Sequence, residues 1–160
     1  MNEHIQHAIE LRNSGDFEGS RKLLTALLCN EALAPQAHLH IAWSYDNQGL
    51  ESEAIEHYNA ALAGNLDTQE QFDALFGLAS TLRSLGKYHD AATWFEKTRT
   101  LYPNAHEVTP FYAMCLYNLG DHKRAIEMLL NLLVETTNSE EILAYKRAIT
   151  LYAQDLDRTW

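Results

Sequence analysis

The sequence predicts an all-α repeat protein: four helix–turn–helix units closed by a final helix. Three observations carry that reading. Glycines recur at Gly15, Gly49, Gly86 and Gly120, spaced by 34, 37 and 34 residues in a chain with only seven glycines. Seven residues before each stands an alanine (Ala8, Ala42, Ala79, Ala113), and five after each another small residue (Ser20, Ala54, Ala91, Ala125). Apolar residues follow three-and-four spacing on both sides of the glycine, as in Phe72, Leu75, Leu78, Ala79, Leu82 and then Tyr88, Ala91, Ala92, Phe95.

Each column has a physical cause. The glycine ends a first helix, A, where the chain needs a left-handed conformation before it reverses into a second helix, B. The small residues let two helix backbones approach to roughly 8–10 Å. Larger pairs fill the flanks: Leu11/Leu24, Tyr45/Tyr58, Leu82/Phe95 and Leu116/Leu129. A single hairpin cannot bury its apolar face, so neighbouring units must stack.

The units run about 1–34, 35–68, 69–105 and 106–138, with the closing helix at about 139–157. In the second unit, Pro35 fits a first helical turn, and Gly64 ends helix B. Asp67 and Glu70 then form a capping box, so the three extra residues lengthen the third helix A by nearly a turn, the alternative being a longer loop. Gly77 inside that helix costs roughly 1 kcal/mol relative to Ala, which close packing against a neighbour would offset. In the fourth unit Pro110 falls where helix A should already be running. Either Thr109 caps a helix starting at Pro110, or a helix from near Asn104 kinks. Asn138 and Glu141 read as the capping box of the closing helix, whose stripe is Ile142, Tyr145, Ile149, Tyr152, Leu156 and Trp160. Ala144, Ala148 and Leu151 widen its apolar arc, which reads as a broad buried stripe with a frayed tail or, together with Trp160, as a second surface for dimerisation or a partner.

A unit of 34 residues with Ala, Gly, Tyr/Phe, Ala and a late Pro resembles the tetratricopeptide repeat (TPR). Residues 72–105 are the best copy, with Leu75, Leu78, Ala79, Leu82, Gly86, Tyr88, Ala91, Phe95 and Pro103 on family positions. His4, His38, Leu75 and Thr109 stand where a Trp is common, and Glu51 and His122 replace the turn aromatic. From about Leu78 to Leu156 the chain also looks like a small bacterial repeat family with no assigned chemistry. The resemblance implies a right-handed α-solenoid whose A helices line a concave groove.

By the same resemblance, the groove positions include Ile9, Arg12 and Asn13; Leu39, Trp43, Asp46 and Asn47; Phe76 and Arg83; and Met114, Tyr117 and Asn118. Large apolar groups among a few polar ones suit a peptide groove, and an Asn ladder at Asn13, Asn47 and Asn118 would pair a peptide backbone. The competing reading is that these groups fill the solenoid interior or satisfy helix ends. Chaperone-tail binders of the family carry Lys, Asn and Arg where this chain has Ile5, Ile9, Asp73 and Gly77, so a cationic clamp of that type is not expected.

Composition narrows the function further. With 160 residues and 46% hydrophobic content the chain reads as a single domain, residues 1–160. Net charge is −10, from 12 basic and 22 acidic residues, which disfavours nucleic acid as a partner. No run approaches ~18 apolar residues and no basic-then-apolar leader is present, so a cytoplasmic location without membrane contact is expected. Cys29 and Cys115 read as buried thiols. His4 and His7 share a helix face without a third metal ligand, and His38 and His40 point to different faces. His-Glu-x-x-His, a phosphate-binding glycine loop and Gly-x-Ser-x-Gly are all missing, so neither metal, cofactor nor catalysis is expected. The expected function is a non-catalytic scaffold binding a peptide or partner protein in the groove. The alternatives are self-assembly through the closing helix, as a homodimer, or service as a dedicated chaperone of a secreted substrate.

Overall fold

The computed structural model describes residues 2–160; Met1, the first residue of the expected first unit, lies outside them. The described residues form ten helices: α1 (Glu3–Asn13), α2 (Phe17–Thr25), α3 (Ala34–Asn47), α4 (Glu51–Ala63), α5 (Thr68–Ser84), α6 (Tyr88–Leu101), α7 (Val108–Asn118), α8 (His122–Thr136), α9 (Glu140–Ala144) and α10 (Lys146–Gln154). The chain divides into two compact units, Met1–Trp94 and Phe95–Trp160.

The repeat signature is realised directly. Gly15, Gly49, Gly86 and Gly120 all have positive φ, from 73° to 90°, and no other described residue does. After each of them the next amide returns to a carbonyl of the helix just ended, as when Asp16 N–H donates to Leu11 O and Lys87 N–H to Leu82 O. All eight small residues of the two columns are buried.

In the first unit, α1 packs on α2, α3 on α4, and α4 on α5, while α3 also touches α1 and α5. Its core gathers Ile5, Ala8, Leu24, Ala37 and Ile41, with Ile9, Leu27, Leu28 and Tyr45 packed around them. Pro35 lies in the first turn of α3, and Gly64 caps α4. Gly64 has no room for a β-carbon, because the Pro35 ring occupies that space. The Asp67–Glu70 capping box is formed in both directions, and α5 runs 17 residues against 11 and 14 for α1 and α3. Gly77 faces the ring of Tyr58 on α4, which a β-carbon would approach to 2.7 Å. That contact is the packing gain that offsets the helix penalty of glycine.

In the second unit, α7 packs on α8, and α8 on α10. The Phe95 and Tyr112 rings stack 5.8 Å apart, and the Arg99 and Arg124 guanidiniums each lie 5.5 Å from the Tyr112 ring centre. Four expectations need correction here. Helix α7 restarts at Val108 behind Glu107, so Thr109 is not the cap and Pro110 sits in the first turn, where its missing N–H costs nothing. Ser139, not Asn138, caps the next helix: its Oγ accepts from Ile142 N–H and also bonds Glu141. The closing helix breaks at Tyr145 (φ −102°, ψ 8°) into α9 and α10 and ends at Gln154. Leu129, expected to fill the flank against Leu116, is exposed, as are Ile126 and Leu133 on the same helix. Cys29 also departs from expectation: Cys115 is buried but Cys29 is exposed, and neither forms a disulfide.

Candidate functional site

Helices α1 and α3 bring two of the expected groove residues together, Arg12 and Trp43, and a third, Asp46, follows one turn later on α3. Arg12 leaves the last turn of α1 half-buried, with its guanidinium 5.2 Å from the Trp43 ring centre and Nη1 3.3 Å from Nδ1 of His40. His40 meets Trp43 edge-on, with ring centres 4.9 Å apart. Because the guanidinium always donates, His40 Nδ1 accepts and the imidazole is neutral. Burial and then the Arg12 charge press its pKa down to about 4. A cation over an indole face contributes about 0.5–1 kcal/mol when exposed, and more when desolvated. Among the described residues no carboxylate pairs with Arg12, and its Nε has no acceptor.

Asp46, one turn beyond Trp43 on α3, is held from two sides. Tyr58 of α4 donates to it at 2.5 Å, and Thr81 of α5 donates at 3.0 Å. Burial lifts the Asp46 carboxyl above its usual range, and burial followed by the neighbouring carboxylate raises the Tyr58 phenol. One carboxylate therefore ties three helices, which fixes the face of α3 that carries Trp43. On the opposite side Arg21 donates to Ser44, whose hydroxyl donates to Phe17 O, joining α2 to α3.

The other expected groove residues divide. Leu39 is fully buried and is core, so it cannot meet a ligand. Ile9 is half-buried against the core of Ile5, Ala8, Leu24, Ala37 and Ile41. Phe76 is half-buried, its ring 5.7 Å from that of Phe72. Arg83 is half-buried with Nε unpaired. Asn13 and Asn47 end α1 and α3 as exposed amides. In the second unit Met114 and Tyr117 are 40% and 64% exposed, with Tyr117 against the His122 ring, and Asn118 is half-buried.

His40, Tyr58 and Thr81 join this candidate site through partners 12 to 35 residues away on other helices, which no local pattern in the sequence marks. Gly77 was the one available signal, since a helix-interior glycine marks a large neighbour, here Tyr58.

Residues 35–156 match the tetratrico peptide repeat family. The chain belongs to that family. Among solved structures, this TPR chain is similar to YrrB, described as a TPR protein with an unusual peptide-binding site. The identity is 21% and the TM-score 0.73, over 97% of this chain and 77% of YrrB. It is also similar to MamA, with 17% identity and a TM-score of 0.72 over 96% of this chain and 90% of MamA. At these identities the likeness establishes the fold. No curated protein matches the chain. No group of three metal-ligating side chains is assembled among the described residues of this TPR chain, and no helix is long and apolar enough to cross a membrane.

Proposed function

We propose that the chain is a non-catalytic interaction scaffold, and that the inner face of its first unit binds an extended peptide segment of a partner protein. The observation that carries this reading is the Arg12–His40–Trp43 group beside the tethered Asp46. An aromatic face held in place by three helices is a preorganised platform, so little side-chain entropy is lost when a ligand docks. Arg12 keeps unused donors for a peptide carbonyl or carboxylate, and Asn13 and Asn47 present amides that bond backbone without reading sequence. Met114 and Tyr117 offer apolar surface at the matching repeat positions of the second unit. That YrrB carries a peptide-binding site is consistent with this use of the fold, and the net charge of −10 favours protein over nucleic acid.

The test is quantitative capture of partners from the source organism's lysate by wild type, Trp43→Ala and Tyr117→Ala, with folding checked by circular dichroism. Trp43→Ala is expected to lose a wild-type partner; a folded variant that retains the full set refutes the groove assignment.

A second reading rests on different residues. Leu151, Tyr152, Leu156 and Trp160 are each 40% or more exposed, which favours self-association through the closing segment. Light scattering of wild type beside a Leu151→Glu/Tyr152→Glu variant decides it; identical monomer masses sink that reading.

A further inference from the structure

His38 on α3 and His57 on α4 approach with their Nδ1 atoms 2.8 Å apart. Their ring centres are 5.1 Å apart. That separation is what two ring radii plus the nitrogen contact add up to, so each nitrogen points straight at the other. A head-on contact of this kind is attractive only when one proton lies between the nitrogens, with one ring donating and the other accepting. It also argues against a shared metal, because the two lone pairs converge on each other and not on a third point.

We propose that His38 and His57 form a proton-counting latch between α3 and α4, which stays closed with one extra proton and opens with two. The count follows from the atoms. In the neutral pair the donor ring carries its proton on Nδ1 and the acceptor carries its own on Nε2. A first added proton binds the free Nε2 of the donor ring. The donor becomes an imidazolium, and the bond between the rings is strengthened by charge. A second proton has only the acceptor's Nδ1 left. Two N–H groups then face each other at bonding distance, and two like charges are brought together. The bond is lost and the rings must part.

Both rings are half-buried. On α4, Glu56 beside His57 favours the charged form, while Glu53 shares a surface pocket with Glu56, His57 and Tyr45. From α2, Arg21 lies 4.4 Å from the Tyr45 ring centre, and Tyr45 stacks on His57 at 5.6 Å. From α5, Glu70 bonds Gln36, two residues before His38. From α1, Arg12 engages His40, two residues beyond His38. Burial lowers the pKa of both imidazoles, and for His57 the neighbouring His38 lowers it further. Against the opposing pull of Glu56 both imidazoles end below their ordinary range, which puts opening on the acid side. Because α3 carries Trp43, an open latch loosens the helix that forms the inner face.

The experiment is nitrogen-15 NMR of the full chain across a pH titration. Near neutral pH we expect opposite tautomers for the two rings and a scalar coupling between their Nδ1 atoms through the hydrogen bond. The coupling persists through the first protonation and vanishes at the second, with the two steps separated by about one pH unit or more. Amide exchange in α3 and α4 speeds up at that second step. In His57→Phe, His38 titrates in a single step and the acid-triggered exchange disappears. Like tautomers without coupling, or two rings titrating independently in the native chain, overturn the proposal. Should the variant fail to fold, the coupling in the native chain decides alone. The groove assignment survives either outcome, since it is read from Trp43→Ala.

Discussion

The two units are built from the same hairpin yet leave their large side chains exposed to different degrees. In Met1–Trp94, aromatic groups around α3 are tied: Tyr58 to Asp46, Trp43 under Arg12 and against His40. In Phe95–Trp160, Tyr117, Tyr145, Tyr152 and Trp160 are all more than half exposed. Both patterns satisfy the repeat rule, because the rule constrains only the small columns and the glycines. What differs is polar anchoring. One half-buried carboxylate on α3 gathers donors from α4 and α5, whereas the exposed rings of Tyr145, Tyr152 and Trp160 have no such anchor among the described residues. On the proposed reading, preorganised recognition falls to the first unit, and the exposed apolar surface of the second suits looser, area-driven association.

The contrast can be broken most forcefully at Tyr58. Tyr58→Ala removes a fully buried ring together with a hydrogen bond, and should destabilise the chain by about 3–5 kcal/mol in urea unfolding. Tyr145→Ala, at a residue 68% exposed, should change stability by no more than about 0.5 kcal/mol. Comparable losses at the two sites would erase the distinction.

Next in size is the pH response of His40. Its folded pKa of about 4 lies below the ordinary 6.5, so the unfolded chain binds the proton more readily. The stability is thus fully present above pH 6.5 and declines as pH falls towards 4. The loss totals about 3 kcal/mol from this group. Urea midpoints measured against pH should show that slope, and His40→Gln, which keeps an acceptor for Arg12, should remove most of it.

Gly77→Ala sets a steric cost of about 1–3 kcal/mol against a helix-propensity gain of about 1 kcal/mol. A net loss near 1 kcal/mol is expected in the native chain, turning into a gain of similar size in a Tyr58→Ala background. Should the two substitutions prove additive, the ring does not set the need for glycine. The smallest effect is expected at Leu151, where Leu151→Ser should leave monomer stability within about 0.5 kcal/mol, because the side chain is 42% exposed.

The fold was legible because its rules are local. A glycine at positive φ, a small residue five positions later and an i, i+4 stripe are each written within one unit, as is the Asp67–Glu70 box that lengthens α5. Helix boundaries were less legible where two caps compete within a residue or two. Ser139 won over Asn138, and Glu107 preceded Pro110 without any side-chain cap at all. The site was only half legible. Repeat position selects Trp43, Arg12 and Asp46 as candidates, but it also selects Leu39, which is fully buried in the core. Nothing in the sequence pairs His38 with His57 or Asp46 with Thr81, since those contacts depend on how neighbouring helices rotate against each other.

The most direct test of the groove begins with peptides selected from a random display library against the wild-type chain. Their affinities for Trp43→Ala and Tyr117→Ala are then compared with wild type. The account predicts a loss of about tenfold or more for Trp43→Ala and a smaller one for Tyr117→Ala. Undiminished binding to a folded Trp43→Ala, with binding abolished in Tyr117→Ala, would move the recognition surface to the second unit and contradict it.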